Sequence, residues 1–166
     1  MRRYTPQGFT LVEIMIVVAI IALLAAIAIP NVLRGRTTAN EAAAVGNLRA
    51  LVSSLEMYRS VYQAYPANWK TNMYDNVDPD FGPPSFNKDL SPGGATVQGF
   101  NYDYDVDATG STYDVLTTPV SSSTGTRAFH TDEGGVISHC SGTTATMANF
   151  TDGNEATIDT TPTVCD

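Results

Sequence analysis

The distribution of apolar residues predicts an unusually hydrophobic helix near the N-terminus. Residues 9–29 contain a single charge, Glu13, and the residues after it are apolar on all sides of a helical projection until Pro30. At the rise of an α-helix this stretch is roughly 31 Å long, about the thickness of a bilayer's hydrocarbon core. We therefore expect a helix that lies in lipid or packs among copies of itself.

From Ala39 onward the pattern becomes amphipathic, with apolar residues on one face and polar residues on the other. The apolar face is formed by Val45, Leu48, Val52, Leu55, Tyr58 and Tyr62. The polar face is formed by Asn40, Glu41, Asn47, Arg49, Ser53, Ser54, Glu56 and Ser60. These patterns predict one long helix from Phe9 to about Gln63, whose second half packs against a globular domain of the same chain.

Pro30 lies inside this predicted helix. Its ring lacks an amide donor and crowds the carbonyl one turn earlier, so we expect a kink there rather than an end. Gly35 and Gly46 each weaken the helix by up to about 1 kcal/mol relative to alanine. We therefore expect partial unwinding between Pro30 and Gly46 when copies assemble.

The remainder of the chain predicts a small antiparallel sheet. Residues 66–99 are rich in Asn, Asp, Pro and Gly, which predicts a long irregular connection. From Phe100 to Asp107, aromatic and apolar residues alternate with polar ones, as in a half-buried strand. Three more strands are predicted at 112–118, 127–131 and 136–140. The predicted fold class is α+β, with a long bent N-terminal helix packed on a four-stranded antiparallel sheet.

Charge and composition exclude several functions. The 166 residues include 9 basic and 17 acidic side chains, for a net charge of -8, and no basic patch is evident. We therefore expect no nucleic-acid binding by a single subunit. There is no recognisable pattern of nucleophile, base and orienting acid, and no phosphate-binding loop, which predicts neither enzyme activity nor a cofactor.

A metal site is also not predicted. Asp103, Asp105 and Asp107 alternate as in many calcium loops, but Ala108 occupies the place of the required glycine. The alternation with large aromatic residues favours the solvent-facing side of a strand instead. His130 and His139 are the only histidines, and further ligands at fitting positions are lacking.

The strongest motif is the string GFTLVEIMIVVAIIALLAAIAIP, from Gly8 to Pro30. It follows a short polar leader with Arg2 and Arg3, which favour a cytoplasmic N-terminus. The string resembles the prepilins of type IV filaments, most of all type IVa pilins. This resemblance implies that a prepilin peptidase cuts after Gly8 and methylates the amine of Phe9. An ordinary secretory signal, cut after the small-x-small sequence 26–28, is the alternative interpretation.

Glu13 is the candidate assembly residue. A lone carboxylate in hydrocarbon costs several kcal/mol unless it has a partner. The resemblance implies that the partner is the N-terminal amine of a neighbouring subunit. The alternative is a carboxylate in the first helical turn that favours the helix dipole at headgroup depth.

Cys140 and Cys165 are the only cysteines. In an exported domain such a pair predicts a disulfide that bounds a C-terminal loop, with two free thiols as the alternative. The predicted domains are a leader at 1–8, a membrane or filament-core half-helix at 9–30, an amphipathic half-helix at 31–65, and a β domain at 66–166. The β domain is predicted to contain the connection at 66–99 and the cysteine-bounded region at 140–165.

The resemblance implies the structural subunit of a type IV pilus, which serves motility, adhesion or uptake. Its partners are further copies in a helical filament, the prepilin peptidase, and an inner-membrane assembly platform and motor. The precursor is expected in the bacterial inner membrane, and the mature chain in an extracellular pilus. The alternatives are a pseudopilin of a type II secretion system, whose major form usually closes with a calcium loop, and a single-pass membrane-anchored binding module.

Overall fold

A computed structural model describes residues 8–90 and 94–142. The chain divides into two compact units, Met1–Gly35 and Arg36–Asp166. One helix, α1, runs from Leu11 to Tyr62 over 52 residues and includes Pro30. The predicted long helix is therefore confirmed within two residues at each end, whereas the kink at Pro30 stays a prediction.

In the first unit, the apolar side chains of α1 face outward. Every large hydrophobic residue from Phe9 to Leu33 that the structure records as exposed has more than half of its surface accessible, from 51% at Val17 to 85% at Phe9. Among the described residues, α1 is the one helix long and apolar enough to cross a membrane. The most apolar stretch of 18 residues in α1 is not buried at all by the rest of the chain.

The second unit contains a five-stranded antiparallel sheet whose strands follow one another in chain order. The strands are β1 (Ala95–Val97), β2 (Phe100–Val106), β3 (Tyr113–Pro119), β4 (Arg127–Asp132) and β5 (Ile137–Ser141).

The prediction of four strands is therefore wrong by one. The missing strand, β1, lies within the predicted irregular connection at 66–99. Its three residues are too short to show an alternating pattern. It forms because Gln98 and Gly99, with φ of 52° and 82°, turn the chain so that Val97 pairs with Phe100.

Residues 66–90, which lie in the connection before β1, form no strand and are held by side-chain hydrogen bonds. They include one turn of π-helix at Thr71–Asp75 and one turn of 3₁₀-helix at Pro84–Phe86. The indole nitrogen of Trp69 donates to the carbonyl of Phe86 at 2.9 Å. The hydroxyl of Tyr74 donates to the carbonyl of Pro83 at 2.8 Å.

The hydrophobic core lies between the second half of α1 and one face of the sheet. Leu48, Leu51 and Leu55 are completely buried there, together with Phe100 and Tyr102. The predicted helical face is correct for Leu48, Leu55 and Tyr58, but Tyr62 is half exposed. Leu51 was missed, since the predicted spacing ran through its neighbour Val52.

Two residues predicted on the polar face of the helix, Glu41 and Ser54, are instead buried. Ser54 is accommodated because its hydroxyl donates to the carbonyl of Ala50 within the helix, at 2.9 Å. Glu41 is accommodated by partners on β4 and the loop before it, which are described below. The prediction assigned both side chains to the wrong face of the helix because it relied on their polarity alone.

Some predictions concern residues outside the described part of the chain. Cys140 lies on β5 and is 5% exposed, whereas Cys165 lies outside the described residues. The disulfide, and the cysteine-bounded loop beyond Gly142, therefore stay predictions. Most of the predicted leader, residues 1–7, also lies outside the described residues.

A substitution at the C-terminal end of α1 is expected to stabilise the fold. Gln63 follows the helix with a φ of 62°, and its amide donates to the carbonyl of Arg59 at 2.8 Å. Glycine adopts this left-handed conformation without strain. We expect Gln63→Gly to raise the free energy of unfolding by about 0.5–1 kcal/mol.

Trp69 reports this change, because it is the only tryptophan and is 2% exposed in the second unit. Its fluorescence would be followed during urea unfolding of the detergent-solubilised chain. Gln63→Ala is the matched control, since it removes the same side chain and keeps the strain. Equal midpoints for the glycine and alanine variants would contradict the prediction.

Candidate functional site

The residues around the predicted cleavage point lie in an exposed segment before α1. Gly8, Phe9 and Thr10 are not part of a helix or strand, and all three are exposed. A peptidase needs access to the bond that it cuts, and both residues of the predicted cleavage site, Gly8 and Phe9, are accessible.

Glu13 and Thr10 form a reciprocal cap at the start of α1. Glu13 Oε2 accepts a hydrogen bond from the backbone amide of Thr10 and another from its hydroxyl, both at 2.8 Å. The amide of Glu13 donates to the Thr10 hydroxyl oxygen at 3.2 Å. This is the arrangement of a capping box, and it holds the carboxylate at the positive end of the helix dipole.

The cap leaves part of the carboxylate available. Both hydrogen bonds from Thr10 end on Oε2, and no bond from another described residue ends on Oε1. Glu13 also has an exposed side chain, and the other exposed residues of α1 as far as Ile29 are all apolar. Within one chain the structure therefore displays the capping role, and the assembly role of Glu13 stays a prediction.

A second polar cluster, which the sequence did not reveal, centres on Glu41. Its Oε1 accepts hydrogen bonds from the amide and the hydroxyl of Thr126, at 2.8 and 2.9 Å. Its Oε2 accepts two bonds from the Arg127 guanidinium, at 3.0 and 2.7 Å. Asn40, one residue earlier, donates to the carbonyl of Thr124 at 3.1 Å. We call Asn40, Glu41, Thr124, Thr126 and Arg127 the helix–loop clamp.

The clamp ties α1 to the start of β4 and sets the electrostatics of Glu41. Burial by itself raises the pKa of this carboxyl, but the bonds from Thr126 and Arg127 outweigh burial and lower it. Glu41 is therefore held as a carboxylate. No local signal could have found this pairing, because the partners are separated by 85 and 86 residues.

Asp107 closes a turn between strands. Its carboxylate accepts bonds from the hydroxyl and amide of Thr109 and from the amides of Ser111 and Thr112. The Thr109 hydroxyl is the largest influence that lowers the pKa of Asp107, to about 2. In residues 8–90 and 94–142, no group of three or more His, Cys, Asp or Glu side chains is arranged to hold a metal ion.

The comparison with family models concerns the N-terminal region. Residues 5–29 match the family model described as the prokaryotic N-terminal methylation motif. This range contains Gly8, Phe9 and Glu13. No solved structure matches the chain significantly.

Curated relatives of two kinds are similar to the chain. Type II secretion system core protein G of Pseudomonas aeruginosa is 40% identical over 67 residues, which cover 40% of this chain and 47% of that protein. The type IV wide pilus major component PilA4 of Thermus thermophilus is 45% identical over 62 residues, covering 37% of this chain and 47% of that protein. The type IV major pilin protein PilA of Myxococcus xanthus is 45% identical over 65 residues, covering 38% of this chain and 30% of that protein. The chain thus spans less than half the length of each of these relatives.

Proposed function

We propose that this chain, a member of the type IV pilin and pseudopilin family, is a structural subunit of a type IV pilus. The observation that carries the proposal is the series of exposed apolar side chains that begins at Phe9, just before α1, and continues along α1 to Leu33. Such a surface is stable only when lipid or other proteins cover it. Other copies of the same helix cover it in a filament.

Processing precedes assembly in this proposal. A prepilin peptidase cuts the exposed bond between Gly8 and Phe9 and methylates the new amine of Phe9. Removal of the leader also removes Arg2 and Arg3, which leaves 7 basic against 17 acidic residues. The mature chain then has a charge of about -10 and begins directly with its apolar helix.

The membrane holds the subunit until it is assembled. The precursor lies in the bacterial inner membrane through its apolar helix, with the leader on the cytoplasmic side. An assembly platform and a motor extract the helix from lipid, and helix–helix packing replaces the lipid contacts. The globular unit then lies on the outside of an extracellular filament.

Glu13 sets the position of each incoming copy. Cleavage creates a positively charged amine at Phe9, and the Oε1 atom of Glu13 on a neighbouring copy accepts it. An ion pair formed in an apolar environment has a strong geometric preference, because misplaced charges stay unpaired. The cap from Thr10 keeps the carboxylate in a fixed orientation for this partner.

Two further features belong to the proposal. Pro30 kinks α1, and partial unwinding between Pro30 and Gly46 adjusts the helix during assembly. Cys140 pairs with Cys165 once the globular unit has reached an oxidising compartment, and this disulfide bounds the C-terminal loop. The burial of Cys140 supports a structural rather than a reactive role.

A pseudopilin of a type II secretion system is the second candidate. Core protein G relatives from several bacteria match with 35–40% identity, comparable to the pilin relatives. A pseudopilin forms a short periplasmic piston, so the two roles differ in whether long fibres appear on the cell surface. The third candidate, a membrane-anchored binding module, differs from both because it forms no assembly.

Mass spectrometry of the chain from the producing cell tests the proposal at its first step. We expect the mature chain to begin at Phe9 and to carry one added methyl group, and we expect it in the sheared surface fraction. Gly8→Gln is expected to keep the leader and to abolish the surface signal, whereas Gln7→Ala, a change at the preceding position, is processed normally. An uncut wild-type chain would contradict the proposal.

A further inference from the structure

A groove of about 320 Å³ opens between α1 and the last two strands of the sheet, within the second unit. Its lining includes Val45 of α1, Phe129 of β4, and Ile137 and His139 of β5. Arg49 of α1 and Arg127 of β4 supply positive charge to its lining. We call this the arginine groove.

The two arginines differ in whether they form an ion pair. Arg127 is paired with Glu41, yet 42% of its side chain stays exposed to solvent. Arg49 is exposed and forms no ion pair with any described residue. Two of the seven basic residues in the predicted mature chain line this groove, against one acidic residue, Glu41, so the groove lining is net positive on an acidic protein. It suits a carboxylate ligand.

A complementary element lies elsewhere in the second unit. Residues 75–80 carry three aspartates, of which Asp75 is paired with Lys70 at 3.0 Å. Asp78 and Asp80 are exposed and form no ion pair within the described residues. We call residues 75–80 the acidic loop.

The acidic loop is fixed at the C-terminal end of α1. Phe81, directly after it, packs edge-on against Tyr58 and Tyr62, with ring centroids 5.3 and 6.0 Å away. Arg49 precedes Tyr58 by nine residues, which is about 14 Å along the helix. The groove lies beside β5, whereas the nearby 3₁₀ turn at Pro84–Phe86 contacts β1, at the opposite edge of the sheet. The loop and the groove of one chain therefore do not meet.

We propose that the acidic loop of one copy binds the arginine groove of the next copy. Asp78 and Asp80 lie against Arg49 and the exposed part of Arg127. Because the two surfaces differ, the contact is heterologous, and a heterologous contact that does not close into a ring produces an open helical array. Opposite charges at the contact also reduce the repulsion between copies that each carry a large negative charge. This inference rests on the proposed filament function.

Site-specific photo-crosslinking in the producing cell tests the contact. Ala42, an exposed residue of the groove lining, would be replaced by p-benzoylphenylalanine in the full chain. We expect crosslinked dimers in sheared fibres, with residues 71–88 as the attached peptide, because trypsin cuts after Lys70 and Lys88. Crosslinks that map to other peptides alone would overturn the inference.

Charge reversal provides the second test. Arg49→Glu is expected to lower the amount of sheared fibre at least threefold, and Asp78→Arg with Asp80→Arg is expected to restore it in the same chain. Lys88→Glu is the matched control, since it makes the same charge change on an exposed residue outside the groove.

The outcomes separate this inference from the proposed function. If wild-type cells form fibres and Arg49→Glu forms as many, the contact is wrong and the filament proposal stands. If wild-type cells form none, the filament proposal itself fails. Immunoblots of whole cells establish that each variant accumulates to the wild-type level.

Discussion

Glu13→Ala is expected to leave leader removal intact and to reduce surface fibres to the background level. In the proposed filament, the Phe9 amine of each copy is surrounded by apolar side chains and needs a carboxylate. An unpaired charge in such an environment costs several kcal/mol at every subunit contact. The measurement is an immunoblot of whole-cell and sheared fractions, together with electron microscopy of the cells.

Thr10→Val distinguishes assembly from capping. This variant removes the hydroxyl that bonds to Glu13 and keeps the carboxylate. If Glu13 only caps α1, both variants impair the chain to a similar degree, by about 1 kcal/mol of helix stability. The assembly role predicts that Thr10→Val still forms fibres. Normal fibres with Glu13→Ala would rule out the charge-pair mechanism.

Glu41→Ala is expected to lower the free energy of unfolding of the globular unit by about 3 kcal/mol. The substitution removes four hydrogen bonds and leaves the amide and hydroxyl of Thr126 without their acceptor. The loss of hydrogen bonds to a buried carboxylate and a broken ion pair both carry such costs. The partial exposure of Arg127 keeps the loss below that for a fully buried pair.

Urea unfolding of the detergent-solubilised chain, followed by Trp69 fluorescence, measures this loss. Glu133→Ala is the control, because it removes the same charge from an exposed position in the turn after β4. We expect that variant to change the free energy of unfolding by less than about 0.5 kcal/mol. Equal losses for the two variants would show that the clamp does not stabilise the fold.

The ion pair between Glu41 and Arg127 makes the stability of the fold sensitive to acid. The folded state lowers the pKa of Glu41, so the contribution of this group is fully present above the ordinary glutamate value of 4.5 and is lost as the pH falls below it. Stability of the wild-type chain should therefore decline more steeply below that pH than stability of Glu41→Ala. Parallel curves for the two chains would contradict this origin of the acid sensitivity.

Some elements of the fold could be predicted from the sequence and others could not, for physical reasons. The long helix was predictable because a continuous apolar run and a spacing of three and four residues are strong local signals. Strand β1 was missed because three residues contain too little alternation, and its pairing depends on the backbone of Gln98 and Gly99. The burial of Glu41 was missed because it depends on partners far along the chain.

The candidate sites show the same contrast. Gly8, Phe9 and Glu13 lie within six residues of one another, so a local motif contains them all. The arginine groove brings Arg49 together with Arg127, which are separated by 78 positions in the sequence. Only the packing of α1 beside β4 and β5 reveals that these side chains share one surface.

Electron cryo-microscopy of fibres sheared from the producing cell tests the central claim most directly. The account predicts a helical fibre whose interior contains residues 9–33 of this chain, with the Phe9 amine of one copy within ion-pair distance of Glu13 of another. The globular units should form the outer surface, with the arginine groove facing the acidic loop of a neighbour. Fibres built from a different protein, or fibres whose interior lacks this helix, would contradict the account.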